Sequence, residues 1–85
     1  MDEISQIAEC IETRQDLAEF LRVAVDDLKA NPEAWENSSL EEFLSAWSAW
    51  VVDCPGWFAA RGEVVPDVPN WQMIGRMVLA ARVYE

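Results

Sequence analysis

Residues 39–54 read SLEEFLSAWSAWVVDC. Wound at 3.6 residues per turn, they place Leu40, Phe43, Leu44, Trp47, Trp50, Val51 and Cys54 on one arc of about 120°, with Glu41, Glu42, Ser45, Ser48 and Asp53 opposite. That pattern predicts a core-facing helix. Ser39 and Glu42 have the spacing of a capping box, which satisfies orphan backbone donors at a helix start. Pro55 disfavours helical geometry at Cys54 and Gly56 lets the chain turn away, so the helix is expected to end there. Two tryptophans at i and i+3 give this segment more buriable apolar surface than any other, and the rest of the chain is expected to pack around it.

Before it, Asn31-Pro32 stops a preceding helix and opens one short turn, with Pro32 at its first position. Trp35 is expected to cover an end of the core. The preceding helix runs from about Arg14 to Ala30, with Leu17, Phe20, Leu21, Ala24 and Leu28 as its apolar stripe and an Arg22–Asp26 pair on its surface. Ile4, Ile7, Ala8 and Ile11 form a first, shorter stripe rotated well over about 100° from the second, so one continuous helix cannot bury both. The break belongs at Thr13, an N-cap with Asp16 at the third position.

After it, residues 54–70 read CPGWFAARGEVVPDVPN. Trp57 to Arg61 form a helical turn closed by a left-handed Gly62, and Val64 to Pro69 read as extended. Asn70 caps a last helix from Trp71 to about Tyr84. Its apolar residues lie nearly all round, as in a helix buried on several sides or shared with a partner chain.

The 85 residues make one domain, 1–85, with 52% apolar content and five Trp, which argues against disorder despite a net charge of −10. All of that charge lies in residues 1–53, where thirteen acids face Arg14, Arg22 and Lys29; the remainder balances Glu63, Asp67 and Glu85 with Arg61, Arg76 and Arg82. Such a balance disfavours direct nucleic-acid binding and makes a basic protein the natural electrostatic complement. Cys10 and Cys54 have no metal-ligand or disulfide-framework spacing, the N-terminus lacks the pattern of a signal peptide, and no apolar run reaches membrane-spanning length. The expected setting is cytoplasmic, with no membrane contact.

The segments NPEAWEN, LEEFLSAWSAWVVD, GWFAARGEVVPDVPNW and VLAARVYE together resemble a family of small, uncharacterised bacterial all-helical proteins. The resemblance runs end to end from the second helix onward and is specific in the combination of these segments. It implies a bacterial helical domain of unknown role, and no catalytic residues or cofactors to transfer.

The chain contains no His, so Ser-His and Cys-His nucleophile systems and the common zinc motifs are absent. Cys54, at a helix C-terminus beside Asp53, is poorly placed to become a thiolate and reads as a core residue. The acid pairs Asp26-Asp27 and Glu41-Glu42 diverge around their helices and do not converge on an ion, so no metal, cofactor or catalytic residue is assigned. The aromatics are in excess. Trp57, Phe58, Arg61 and Trp71 flank the long loop and have the composition of an interface hot spot.

These readings predict an all-α, compact four-helix domain with additional short turns near Glu33 and Trp57, monomeric or homodimeric. The expected function is non-enzymatic, a protein-interaction module, immunity- or antitoxin-like, that binds a basic partner. The alternative is a small-ligand binding domain with a tryptophan-lined pocket between the last two helices; an enzyme using carboxylates and arginines alone is the third possibility.

Overall fold

A computed structural model of the protein describes residues 3–85. It contains α1 (Glu3–Glu9), α2 (Arg14–Ala30), a short 3-10 turn (Pro32–Ala34), α3 (Leu40–Ala60) and α4 (Trp71–Ala81), with no strand among the described residues. The all-α reading therefore holds. Thr13 closes a full capping box: its hydroxyl accepts the Asp16 amide at 3.1 Å and the Asp16 carboxylate accepts the Thr13 amide at 3.2 Å. Asn70 accepts the Met73 amide at 2.8 Å, and Gly62 takes the expected left-handed conformation at φ 70°. Ser39 caps α3 through the Glu42 amide, but the Glu42 carboxylate takes the Ser39 hydroxyl instead of the backbone donor.

The expected end of the third helix at Cys54 is wrong. It runs through Pro55 and Gly56 to Ala60, so Trp57 belongs to it and not to a separate turn. Proline at an interior position removes one hydrogen bond and crowds the carbonyl four residues back. Here that carbonyl belongs to Val51, and both Val51 and Pro55 lie on an exposed face, where water is the alternative partner. On the opposite side Trp50, Cys54 and Phe58 are all buried, at i, i+4 and i+8. Continuing that stripe into the core outweighs the local cost of the proline. The arc read for this helix shifts as well, because Ala46 is buried while Leu40, Leu44 and Val51 are 74%, 52% and 45% exposed.

Packing centres on α4, not on α3: α4 lies against α1, α2 and α3, whereas among the described residues no Cα of α3 approaches α1 or α2 within 8 Å. The reason is compositional. α4 is apolar on nearly every side, and Gly75 leaves room for Ile11 and Leu17 to come down on its backbone. One core cluster joins Ile4, Ala8, Ile11, Leu17, Phe20, Ala24 and Trp35 to Val78; the other joins Trp50, Cys54 and Phe58 to Met73 and Met77. Trp47 packs against both. Trp35 does cover an end of the core, with its indole N–H donating to Asp27 Oδ2 at 2.8 Å and its ring stacked on Phe43. The Cα radius of gyration is 12.5 Å, against about 12 Å for a compact chain of this length.

Candidate functional site

The residues around Trp57 form one cluster built by three elements and a loop. Trp57 and Arg61 come from the last turn of α3, Glu63 from the loop after it, Arg76 from the middle of α4 and Glu9 from the end of α1. A carboxylate at a helix C-terminus sits unfavourably against the backbone carbonyls. At Glu9 two guanidinium groups offset this: Arg61 Nη2 donates to Oε1 at 2.7 Å and Arg76 Nε donates to Oε2 at 2.9 Å. Arg76 also donates to Glu63 Oε1 at 3.1 Å, and Arg61 Nε lies 3.5 Å from Glu63 Oε2. Both cations lie over the Trp57 ring, the Arg61 guanidinium carbon 4.6 Å and that of Arg76 5.2 Å from its centroid.

The electrostatics follow from this geometry. The hydrogen bond from Arg76 holds the Glu63 carboxyl below its ordinary value of 4.5, with Arg61 adding to the effect. Partial burial pulls the Arg76 guanidinium down, but its bonds to Glu9 and Glu63 outweigh that, and its pKa ends above the usual value. Beside the cluster opens a cleft of about 280 Å³ walled by Trp57, Arg61, Arg76 and Arg82, with Leu79 and Val83 among its apolar residues.

Of the four residues expected at the contact surface, the fold keeps Trp57, Phe58 and Arg61 together at the end of α3 and sets Trp71 apart. Trp57 is half-buried and Arg61 exposed, both already engaged as described. Phe58 is a correction: it is 2% exposed, because the helix continues through it and turns it into the core beside Trp50 and Met77, so no partner reaches it. Trp71 is 42% exposed but stands at the start of α4 over a different shallow cavity, with Ile11, Glu12 and Gln72. Of the tryptophans expected to line a pocket between the last two helices, Trp57 walls the cleft and Trp50 is buried in the core. The Arg22–Asp26 pair is replaced by Arg22–Glu19, at 2.5 Å.

A second surface went unrecognised in the linear pattern. Leu21 and Val25 on α2 are 41% and 50% exposed, and Leu40, Leu44 and Val51 on α3 more so or comparably. Leu28, on the stripe of Leu21, lines a shallow cavity of about 280 Å³ together with Leu40, Phe43 and Trp35, so the stripes of α2 and α3 share that cavity at their Leu28 and Leu40 ends. Leu40 and Leu44 carried no sequence signal of exposure, because their spacing matches a buried face. Cys10, Glu3, Asp16 and Glu19 line a further shallow groove between α1 and α2. No group of three or more His, Cys, Asp or Glu among the described residues is placed to hold a metal ion, and no helix among them is long and apolar enough to cross a membrane.

A family model described as "Family of unknown function (DUF7660)" matches residues 13–85. No curated protein and no solved structure matches the chain.

Proposed function

The chain belongs to this family of unknown function, which assigns it no activity, and from that premise we propose that it is a non-enzymatic protein-interaction module that binds a basic partner in a bacterial cytoplasm. The observation that carries the reading is the exposure of Leu21, Val25, Leu40, Leu44 and Val51 on a chain of net charge −10. Large apolar side chains grouped on a surface mark interaction sites more often than scattered ones do, and the acidic excess selects the sign of the partner. An immunity- or antitoxin-like role against a basic effector is the form of this function that fits the charge best.

The test is a capture experiment from native lysate with the tagged chain, run in parallel with Leu44→Asp. A stoichiometric protein, identified as basic by mass spectrometry, held by the wild type at low salt and lost both in the variant and at high salt, is the expected outcome. Identical captures by both chains would overturn the reading.

A small-ligand function is favoured by one observation, the cleft walled by Trp57, Arg61, Arg76 and Arg82. It predicts quenching of indole fluorescence by an anionic metabolite in a manner abolished by Trp57→Phe and indifferent to Leu44→Asp.

A further inference from the structure

The gap between α2 and α3 has the form of a seat for a helix. Neither helix contacts the other through its backbone, and both lean on α4 instead. The stripe Leu40, Leu44, Val51 runs along α3 for about 16 Å at 1.5 Å per residue, and Leu21, Val25 and Leu28 run along α2. Between them the half-buried rings of Phe43 and Trp47 pack on the core from the α3 side. Two apolar stripes with an aromatic floor are what an amphipathic helix requires of a groove, where anchors at i, i+3 or i+4, and i+7 are read by pockets.

Charge decides which helix. Residues 26–42, which form the end of α2, the 3-10 turn and the first turn of α3, contain Asp26, Asp27, Glu33, Glu36, Glu41 and Glu42 against Lys29 alone, a net of −5, half the charge of the chain. That acidic concentration lies at the end of the gap where Leu28, Leu40 and Phe43 line the shallow cavity. A second copy would bring another −10 to the same place, which opposes self-association by Coulomb repulsion. A basic helix is attracted to it.

Resting on the interaction reading above, we infer that the α2–α3 gap is the docking groove for an amphipathic, basic helix of a partner protein, whose apolar face meets Leu21, Val25, Leu28, Leu40, Leu44 and Val51. Its cationic flank faces the acids of residues 26–42. Arg61 and Arg76 are committed to Glu9, away from these acids, while Arg82 lies 3.5 Å from Asp27 and offsets one of them. The acidic end of the groove keeps an excess of four negative charges, from the −5 of residues 26–42 and the +1 of Arg82.

The test uses the purified full chain and a synthetic Leu/Lys amphipathic peptide of about four turns, with a Leu/Glu peptide of the same pattern as control. Binding is read by calorimetry, and methyl NMR shifts report its location. The expected result is saturable one-to-one binding of the Leu/Lys peptide, with shifts at Leu40, Leu44, Val51, Leu21 and Val25. Affinity should fall at least tenfold in Leu44→Asp and in Val25→Asp, and not in Val52→Asp, which is 75% exposed outside the groove. Each variant adds an acid, so charge alone would strengthen binding and only loss of the apolar contact weakens it. Equal binding by Leu44→Asp, or shifts centred on Trp57 and Arg61, would overturn the groove. Sedimentation of the wild type as a dimer that Leu44→Asp dissociates would also overturn it, giving the face to a second copy. A lysate partner that depends on Leu44 while the peptide fails to bind would leave the interaction function standing and reject the helix.

Discussion

Gly75 shows how much a single hydrogen can decide. A Cβ placed there runs into Ile11 Cδ1, and the Leu17 side chain lies just beyond at 3.8 Å. The Ile11 methyl is the end of a flexible side chain, so Gly75→Ala can be accommodated by a rotation, while alanine gains about 1 kcal/mol of helix propensity. Those effects offset, and Gly75→Ala is expected to leave the denaturation midpoint within about 1 kcal/mol of wild type. Gly75→Val adds two methyls that no rotation clears, and a loss of about 1–3 kcal/mol by urea titration is expected from overpacking. Glu63 makes the pH prediction. Its folded pKa lies below the ordinary 4.5 because Arg76 donates to its charged form, so between those two values the unfolded chain binds more protons. Stability from this group is full above 4.5 and lost as pH falls through the folded value. Thermal melts between pH 6 and 3 should show that slope, and Glu63→Gln should make it shallower. Tyr84 works in the opposite range: its hydroxyl donates to Asp53, which raises its pKa above 10.0, so its contribution is complete below 10 and disappears as pH rises through the folded value. None of these partnerships is readable from spacing. Glu9 meets Arg61 and Arg76 across separations of 52 and 67 residues, and the uneven charge of the two halves was the one sequence signal that they would meet.

Among the elements, α3 carries the clearest conflict between local and tertiary preference. Pro55 and Gly56 both lie exposed in its interior, and nothing stands within 4 Å of a Cβ added at Gly56. Pro55→Ala should therefore stabilise the protein by up to about 3 kcal/mol and Gly56→Ala by about 0.5–1 kcal/mol. A rise in melting temperature for each checks this; a fall would mean that the helix does not run through these residues. The C-terminal end after α4 is held by a residue that reads in sequence as an ordinary loop position. Asn37 donates from its side chain to the carbonyls of Ala81 and Tyr84, at 3.0 and 2.7 Å, and its backbone amide donates to Arg82. Asn37→Ala leaves two half-buried carbonyls without that donor, a cost of about 1–3 kcal/mol, and amide exchange of residues 82–85 should accelerate more than that of α1. The caps were legible because each needs only a short polar side chain at a fixed offset: Thr13 and Asp16, Ser39 and Glu42, Asn70 and Met73 all bond three residues apart.

For the whole molecule, the division of labour among the charges separates the two surfaces. Arg61, Arg76 and Arg82, the cations of the second half, reach back to Glu9 and Asp27 of the first, which ties the α3 terminus, the following loop and α4 to α1 and α2. Apart from Asp27, the acids of residues 26–42 face none of these three arginines, and they lie beside the gap between α2 and α3, whose backbones do not approach each other. Raising salt should therefore weaken partner capture far more than it weakens folding, since the Arg76 pairs are largely shielded, with a side chain only 12% exposed. Comparing the salt dependence of binding with that of the urea midpoint checks this. The sequence by itself determined the helical class, the placement of α1, α2 and the 3-10 turn, the start of α4, the caps of α2 and α4 and the left-handed Gly62, because these depend on periodicity and on contacts a few residues long. Only the tertiary structure decided that α3 continues past Pro55, that Phe58 is core, that α4 is the centre, and that Leu40 and Leu44 face outward. Each of those depends on which of two apolar faces finds a partner, and the same 3.6-residue spacing describes a face that is covered and one that is left open.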